Sequence, residues 1–315
     1  MCLAGYAAGV TAERHPTLDV FETLLGSGPI LLSGGFGTEL QRRGVDTRLP
    51  LWAAGALLDD PAAVRQVHAE YLAAGADVIT ANTFRTDPHA VAASGRGVDA
   101  AALTRIAVEL AREAVEAMRP DRPVLLAGSV GPVRECYAPE AVPEESRLRD
   151  EHGARIEALV ASGVDLLLVE TMNTVREAET ALAVTRGRLP AFVSFVCGAG
   201  GRLLSGEPLG EAVQAVAPYD PLAILVNCCA PAVATEGLEA LLGATTLPVG
   251  VYANGGGRPA DPDGWAFGGG VDDRAYVEAA RTWLSRGARL LGGCCGTSPR
   301  TIASLRRMLA EIDRS

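Results

Sequence analysis

The sequence predicts an α/β protein, a single-domain (β/α)8 TIM barrel, from three features. Eight short apolar runs recur along the 315 residues. Segments with helical periodicity separate them. Each run-plus-helix unit spans roughly 30–40 residues, the length of a βα repeat.

The runs are Ile30–Gly35, Asp77–Phe84, Val124–Gly131, Asp165–Met172, Ala191–Val196, Ala223–Cys229, Leu247–Asn254 and Leu290–Gly296. They are continuously apolar, as strands buried on both faces of a parallel sheet must be. A doubly wound sheet is the competing arrangement, but the first run is not followed by a GxGxxG turn. Between the runs, Val64, Val67, His68, Tyr71 and Leu72 share one helical face, opened by Asp60-Pro61 and stopped by Gly75. Thr174-Val-Arg-Glu177 is a capping-box pattern, and Ser298-Pro299 opens the last helix. Tyr276, Ala280, Trp283 and Leu284 mark one face between Asp272 and Gly287. Residues 1–27 are expected to form an N-terminal extension packed on a barrel of residues 28–315. Segments 132–150 and 253–271 follow strand ends and are rich in Pro, Gly or charge, which makes them candidate lids.

Composition narrows the function. The net charge is −10 and every basic side chain is Arg, with no Lys, so no nucleic-acid-binding surface is expected. No apolar run reaches the ~20 residues of a membrane span, and the start lacks a charged signal-peptide region. A cytoplasmic enzyme, monomeric or homodimeric, is expected. Seven Cys is an odd number and does not suggest a disulfide framework.

Active sites of this barrel lie at the C-terminal strand ends. Two adjacent Cys pairs, Cys228-Cys229 and Cys294-Cys295, fall there, on the sixth and eighth runs. Three thiolates with one open position would make a zinc site for a sulfur substrate. A closed sphere of all four would instead suit zinc storage, and a reversible disulfide would suit redox sensing. Neighbours on a strand point to opposite faces, so Cys294 and Cys295 can both ligate only where the strand has ended or bulged. Gly292, Gly293 and Gly296 permit that.

Other strand-end residues are weighed by their surroundings. Asn254, closing the seventh run, is a candidate catalytic contact. Thr83 and Asn227 are candidate substrate contacts, and Trp52 in Leu49-Pro-Leu-Trp52 is placed to line a pocket. His68 is expected to pack on its helix face and Trp283 in the core. His15, His89 and His152 show no partner pattern, so no His-based triad is expected. Glu39 fits a salt bridge or a helix start better than catalysis. Cys2, Cys136 and Cys197 are expected to be unrelated to the metal.

Gly34-Gly-Phe-Gly-Thr-Glu-Leu40, Ala81-Asn-Thr-Phe84, Val169-Glu-Thr-Met172, Val226-Asn-Cys228 and Gly292-Gly-Cys-Cys-Gly-Thr-Ser-Pro299 resemble the homocysteine S-methyltransferase family, in order and over nearly the whole chain. The resemblance implies Zn(2+) held by Cys228, Cys294 and Cys295, with Cys229 a neighbour. It implies that Glu170 receives the α-amino group of homocysteine and that the backbone of Gly34, Gly35 and Phe36 meets the carboxylate. It also implies a methyl donor with a positive centre. Two positions depart from the family. Ser33 stands where an Asp that helps bind the substrate is usual. Arg85 stands where the betaine-using branch has Tyr, and a cation there disfavours betaine. The expected reaction therefore moves a methyl group from a sulfonium donor, S-methylmethionine or S-adenosylmethionine, to homocysteine, giving methionine. With Ser33 at that position, another thiol or a selenol is the alternative acceptor.

Overall fold

A computed structural model describes residues 14–259, 265–268, 272–312 and 314. Among the described residues eight parallel strands form the barrel, each inside a run identified from sequence or within two residues of one. They are β1 Ile30–Leu31, β2 Val78–Ala81, β3 Leu125–Val130, β4 Leu166–Met172, β5 Ala191–Gly198, β6 Ala223–Asn227, β7 Val249–Tyr252 and β8 Leu290–Leu291. Their pairing order is β1-β8-β7-β6-β5-β4-β3-β2. A parallel bridge from Leu32 to Val78 brings β1 back to β2 and closes the ring.

The strands bury both faces, and the two faces serve different cores. Ile30, Leu125, Ala127, Leu166, Leu168, Phe192, Leu225 and Leu290 fill the interior. Their neighbours Leu126, Leu167, Val169, Val193, Ile224 and Val226 pack outward against the helices. This period of two explains why the runs carry no polar face. A helix at Pro16–Ser27 supplies Leu18, Phe21 and Leu24 to the interior core. The Phe21 ring lies 5.4 Å from that of Phe192 near the N-terminal strand ends, and Thr17 Oγ1 donates to the Asp165 carbonyl (2.8 Å).

The helix starts follow their local chemistry. Asp60 accepts from the Ala63 amide (3.0 Å) with Pro61 in the first turn. Thr174 Oγ1 accepts from the Glu177 amide (3.2 Å), but the second half of the capping box is diverted. Glu177 Oε1 instead accepts from the Val133 amide (2.7 Å) and lies 3.2 Å from His152 Nε2, anchoring the segment after β3. His152 therefore has a partner that its sequence neighbours did not reveal. Trp283 is fully buried, and Tyr276 donates to the carbonyls of Ala253 (3.0 Å) and Gly292 (2.8 Å), tying its helix to the segments after β7 and β8. Among the described residues no helix is long and apolar enough to cross a membrane.

Candidate metal centre and active site

The sequence required the eighth strand to have ended or bulged at its cysteine pair, and regular β8 ends at Leu291, with the Gly292 and Cys294 amides still donating to the Val251 (3.1 Å) and Ala253 (2.9 Å) carbonyls. Cys294 to Thr297 then form a turn, with Gly296 at φ +81° and the Thr297 amide donating to the Cys294 carbonyl (3.1 Å). A Cβ on Gly35 would collide with that same carbonyl oxygen, so only glycine lets the segment after β1 lie against the cysteine turn. Across the mouth, Cys228 follows β6 at φ +56°, a left-handed conformation that costs a non-glycine residue ~1–3 kcal/mol. It turns the Cys228 sulfur into the mouth, while Cys229 packs in the helix-facing core.

The sulfurs of Cys228, Cys294 and Cys295 lie within 4.8 Å of one another, and Cys228 Sγ is 3.2 Å from Cys294 Sγ. Hydrogen bonds from Cys228 and Cys295 pull Cys294 down to about 5, and the same sharing pushes Cys228 and Cys295 well up. Among the described residues the other side chains within hydrogen-bonding reach of the cluster are Tyr137, whose hydroxyl is 3.2 Å from Cys228 Sγ, and Asn227, whose Nδ2 is 4.0 Å from Cys294 Sγ. No Arg or His hydrogen-bonds to these sulfurs among the described residues. A buried set of soft donors holding negative charge without its own cation suits a thiophilic metal ion. Cys229, pushed up to about 12 by burial, is not part of the set.

The cluster opens into a cleft that, with the open solvent at its mouth, spans about 1080 Å³. Phe36, Trp52, Phe84, Tyr137 and Trp265 give it aromatic walls, and its charged residues are Arg85, Glu135 and Glu170. Both candidate lids contribute to it, Glu135–Tyr137 from one and Pro259 and Trp265 from the other, although 260–264 and 269–271 lie outside the described residues. Glu170 accepts from Ser129 Oγ (2.5 Å) and from the Tyr252 hydroxyl (3.1 Å). Burial pushes it up to about 7, against the pull of the Ser129 bond and with a further push from Cys228. The next residue, Thr171, sits at φ +64° where the β4–β5 register shifts. Its hydroxyl accepts from Asn227 Nδ2 (2.8 Å), and Asn227 Oδ1 accepts from Ser194 (2.7 Å).

The structure thus gathers Ser33, Gly34, Gly35, Phe36, Trp52, Glu170, Cys228, Cys294 and Cys295 around one cleft. Thr83, Asn227 and Asn254 do not line it. Thr83 is fully buried and exchanges hydrogen bonds with the Ser129 backbone (2.9 Å each way). Asn227 is a buried brace between Ser194 and Thr171, and Asn254 donates its backbone N–H to the Cys229 carbonyl (2.9 Å), while its side-chain Oδ1 is buried without a partner among the described residues. His68 packs against Phe36 with ring centroids 4.5 Å apart, and Glu39 pairs with Arg42 and Arg43. Cys136 is buried in the cleft wall and Cys197 in the outer core; Cys2 lies outside the described residues.

Sequence reasoning did not single out Ser129, Glu135, Tyr137 or Tyr252. Ser129 and Tyr252 did lie on strand ends, but only the fold shows that both converge on Glu170. Arg85 is the cation the sequence places there, and its guanidinium is paired with Glu135 (2.9 Å), an anion that no neighbouring residue in the sequence announced.

Fold and site together define a barrel enzyme with a three-thiol centre at its catalytic mouth. The chain belongs to the homocysteine S-methyltransferase family, whose model matches residues 30–309. It is 35% identical over 299 residues to homocysteine S-methyltransferase of Escherichia coli (strain K12), covering 88% of this chain and 94% of that one. It is 32% identical over 313 residues to selenocysteine methyltransferase of Astragalus bisulcatus, covering 89% and 92%. The crystal structure of the homocysteine methyltransferase MmuM from E. coli in its metallated form superposes with a TM-score of 0.80 at 32% identity, covering 91% of this chain and 99% of that one.

Proposed function

We propose that this chain moves a methyl group from S-methylmethionine or S-adenosylmethionine to the sulfur of homocysteine, giving methionine, with zinc held by Cys228, Cys294 and Cys295. The carrying observation is the trio of sulfurs from β6 and β8 facing an open cleft. A free thiol titrates near 8.5, so only a few per cent is nucleophilic at neutral pH. Zinc, when bound, supplies a deprotonated and oriented substrate sulfur.

The chain's own residues do the remaining work. Glu170 lies close enough to the centre to sense the Cys228 charge and offers the acceptor's ammonium a carboxylate steadied by Ser129 and Tyr252. Ammonium binding requires Glu170 to ionise and release its proton. The helix Phe36–Arg42 begins without a side-chain cap, which leaves amides near Phe36 for the acceptor's carboxylate. The Gly35 amide is already spent on Thr297 (2.9 Å). The aromatic walls exclude water and suit a sulfonium, whose charge cancels against the thiolate as the methyl moves.

Ser33 bears on the acceptor. Its hydroxyl accepts from the Thr80 amide (3.3 Å) and brings no negative charge to the cleft. A selenol or a thiol with a different amino-acid end is therefore the second reading, and Ser33→Asp should shift preference toward homocysteine.

The test is turnover by zinc-replete protein given homocysteine with S-methylmethionine, S-adenosylmethionine and betaine in turn. Methionine should form with a sulfonium, and the protein should hold about one zinc per chain. Zinc-edge spectroscopy should gain one sulfur scatterer on adding homocysteine. If metal-replete protein alkylates no thiol or selenol with any donor, the proposal is wrong.

A further inference from the structure

The cleft has more charge than one amino-acid substrate uses. An acceptor zwitterion takes Glu170 and backbone amides, which leaves Arg85 and Glu135, one cation and one anion side by side on the segments after β2 and β3. We propose that Arg85 and Glu135 form a second zwitterion subsite that holds the α-amino-acid head group of the methyl donor. This rests on the sulfonium reading above and makes it sharper: the donor is selected for being an amino acid as well as a cation.

The pair is incompletely satisfied. Arg85 Nη2 donates to Glu135 Oε2 (2.9 Å) and Nη1 to the Arg134 carbonyl (3.3 Å). Its Nε is buried without a partner. A guanidinium has five N–H donors in a planar fork suited to a carboxylate. Among the described residues only two are spent. The plane is steadied by Phe84, whose ring centroid is 5.6 Å from the guanidinium carbon. Glu135 spends Oε1 on the Cys136 amide (2.9 Å) and thiol (3.3 Å), while Oε2, among the described residues, meets only Arg85 and retains acceptor capacity.

Position fits the donor side. Two residues after Glu135, the Tyr137 hydroxyl is 3.2 Å from Cys228 Sγ, and the pair lines the same cleft as the three thiols. In S-methylmethionine the sulfonium lies two methylenes from the α-carbon, a short span between a rim head group and a transfer point. The segment that presents Glu135 is held from behind, because Val133 donates to Glu177 and Arg155 bonds the Gly131 carbonyl. A donor without a carboxylate would leave the Arg85 fork unmatched.

The experiment pairs donor truncations with protein truncations on the zinc-loaded chain. Donors are S-methylmethionine, its carboxamide (no carboxylate) and its N-acetyl form (no ammonium). Variants are Arg85→Gln, Arg85→Lys and Glu135→Gln, each checked for wild-type thermal unfolding. In wild type each truncated donor should lose about 30-fold or more in kcat/KM, as when one partner of a buried charge pair is removed. In Arg85→Gln the carboxamide penalty should shrink to about threefold or less, since the interaction is already gone. Arg85→Lys should restore part of it, Glu135→Gln should do the same for the N-acetyl penalty, and the KM for homocysteine should stay within about twofold throughout. Donor titration followed by fluorescence of Trp52 and Trp265 reads the subsite without turnover. Equal efficiency of the three donors in wild type, a carboxamide penalty that persists in Arg85→Gln, or a rise in homocysteine KM instead of donor KM would each overturn the subsite while leaving methyl transfer intact. Failure of methyl transfer itself would show as no product from any donor, and the fluorescence titration would still decide the subsite.

Discussion

Glu170→Gln should make the metal-free protein more stable and the enzyme worse. Burial raises the folded-state value of Glu170 from an ordinary 4.5 to about 7. A carboxyl so raised binds its proton more tightly in the folded state. Stability therefore falls as pH rises from about 4.5 to about 7 and stays reduced above that. At 1.36 kcal/mol per pKa unit, the penalty at pH 8 is about 3 kcal/mol, and at pH 4 it is close to zero. Gln keeps the side chain's shape and can still accept from Ser129, but it never ionises. Denaturant unfolding of reduced, metal-free protein at pH 8 should show the variant about 2–3 kcal/mol more stable, with the gain vanishing near pH 4. In zinc-replete protein the same change strands the acceptor's ammonium and should cost ~30- to 1000-fold in kcat/KM for homocysteine, with donor KM little changed. Equal stability gains at both pH values, or an unaltered homocysteine KM, would refute this account of Glu170.

Other perturbations separate the centre from its surroundings. Ser at Cys228, Cys294 or Cys295 should abolish stoichiometric zinc in metal analysis, whereas Cys229→Ser should retain it, because Cys229 packs in the outer core. Gly35→Ala should fold but displace the cysteine turn it touches, weakening zinc affinity tenfold or more in a chelator competition. His68 is held near 3 by burial and stays neutral in the fold, so stability is lost as pH falls below about 6.5, by about 2 kcal/mol at pH 5. His68→Leu should remove that part of the acid limb in a pH series of unfolding curves; an unchanged limb would show that other groups carry it.

Much of the fold was legible because it rests on local patterns. Strands buried on both faces must be apolar throughout, and Asp60-Pro61 or Thr174 mark helix starts by chemistry that spans only a few residues. The cysteine turn was legible too, since two ligands in succession demand a strand that has ended. What the sequence hid were meetings across the barrel. Nothing local says that Ser129 and Tyr252 grip Glu170, or that Arg85 faces a carboxylate fifty positions away. The hydrogen bonds of Asn227 were hidden for the same reason. Adjacent to Cys228, it has a strand-end position typical of a substrate contact, yet it is spent bracing Thr171, whose left-handed backbone no residue pattern announces.

Of the eight barrel strands, β8 comes latest along the sequence; it closes the ring and leads into the turn that carries two of the three sulfurs. A nascent or truncated chain lacking its final ~30 residues would display only Cys228 and could not capture the ion. Capture of the ion by all three sulfurs thereby waits on the segment that closes the ring, and a molecule metallated at this site certifies that its own barrel has shut.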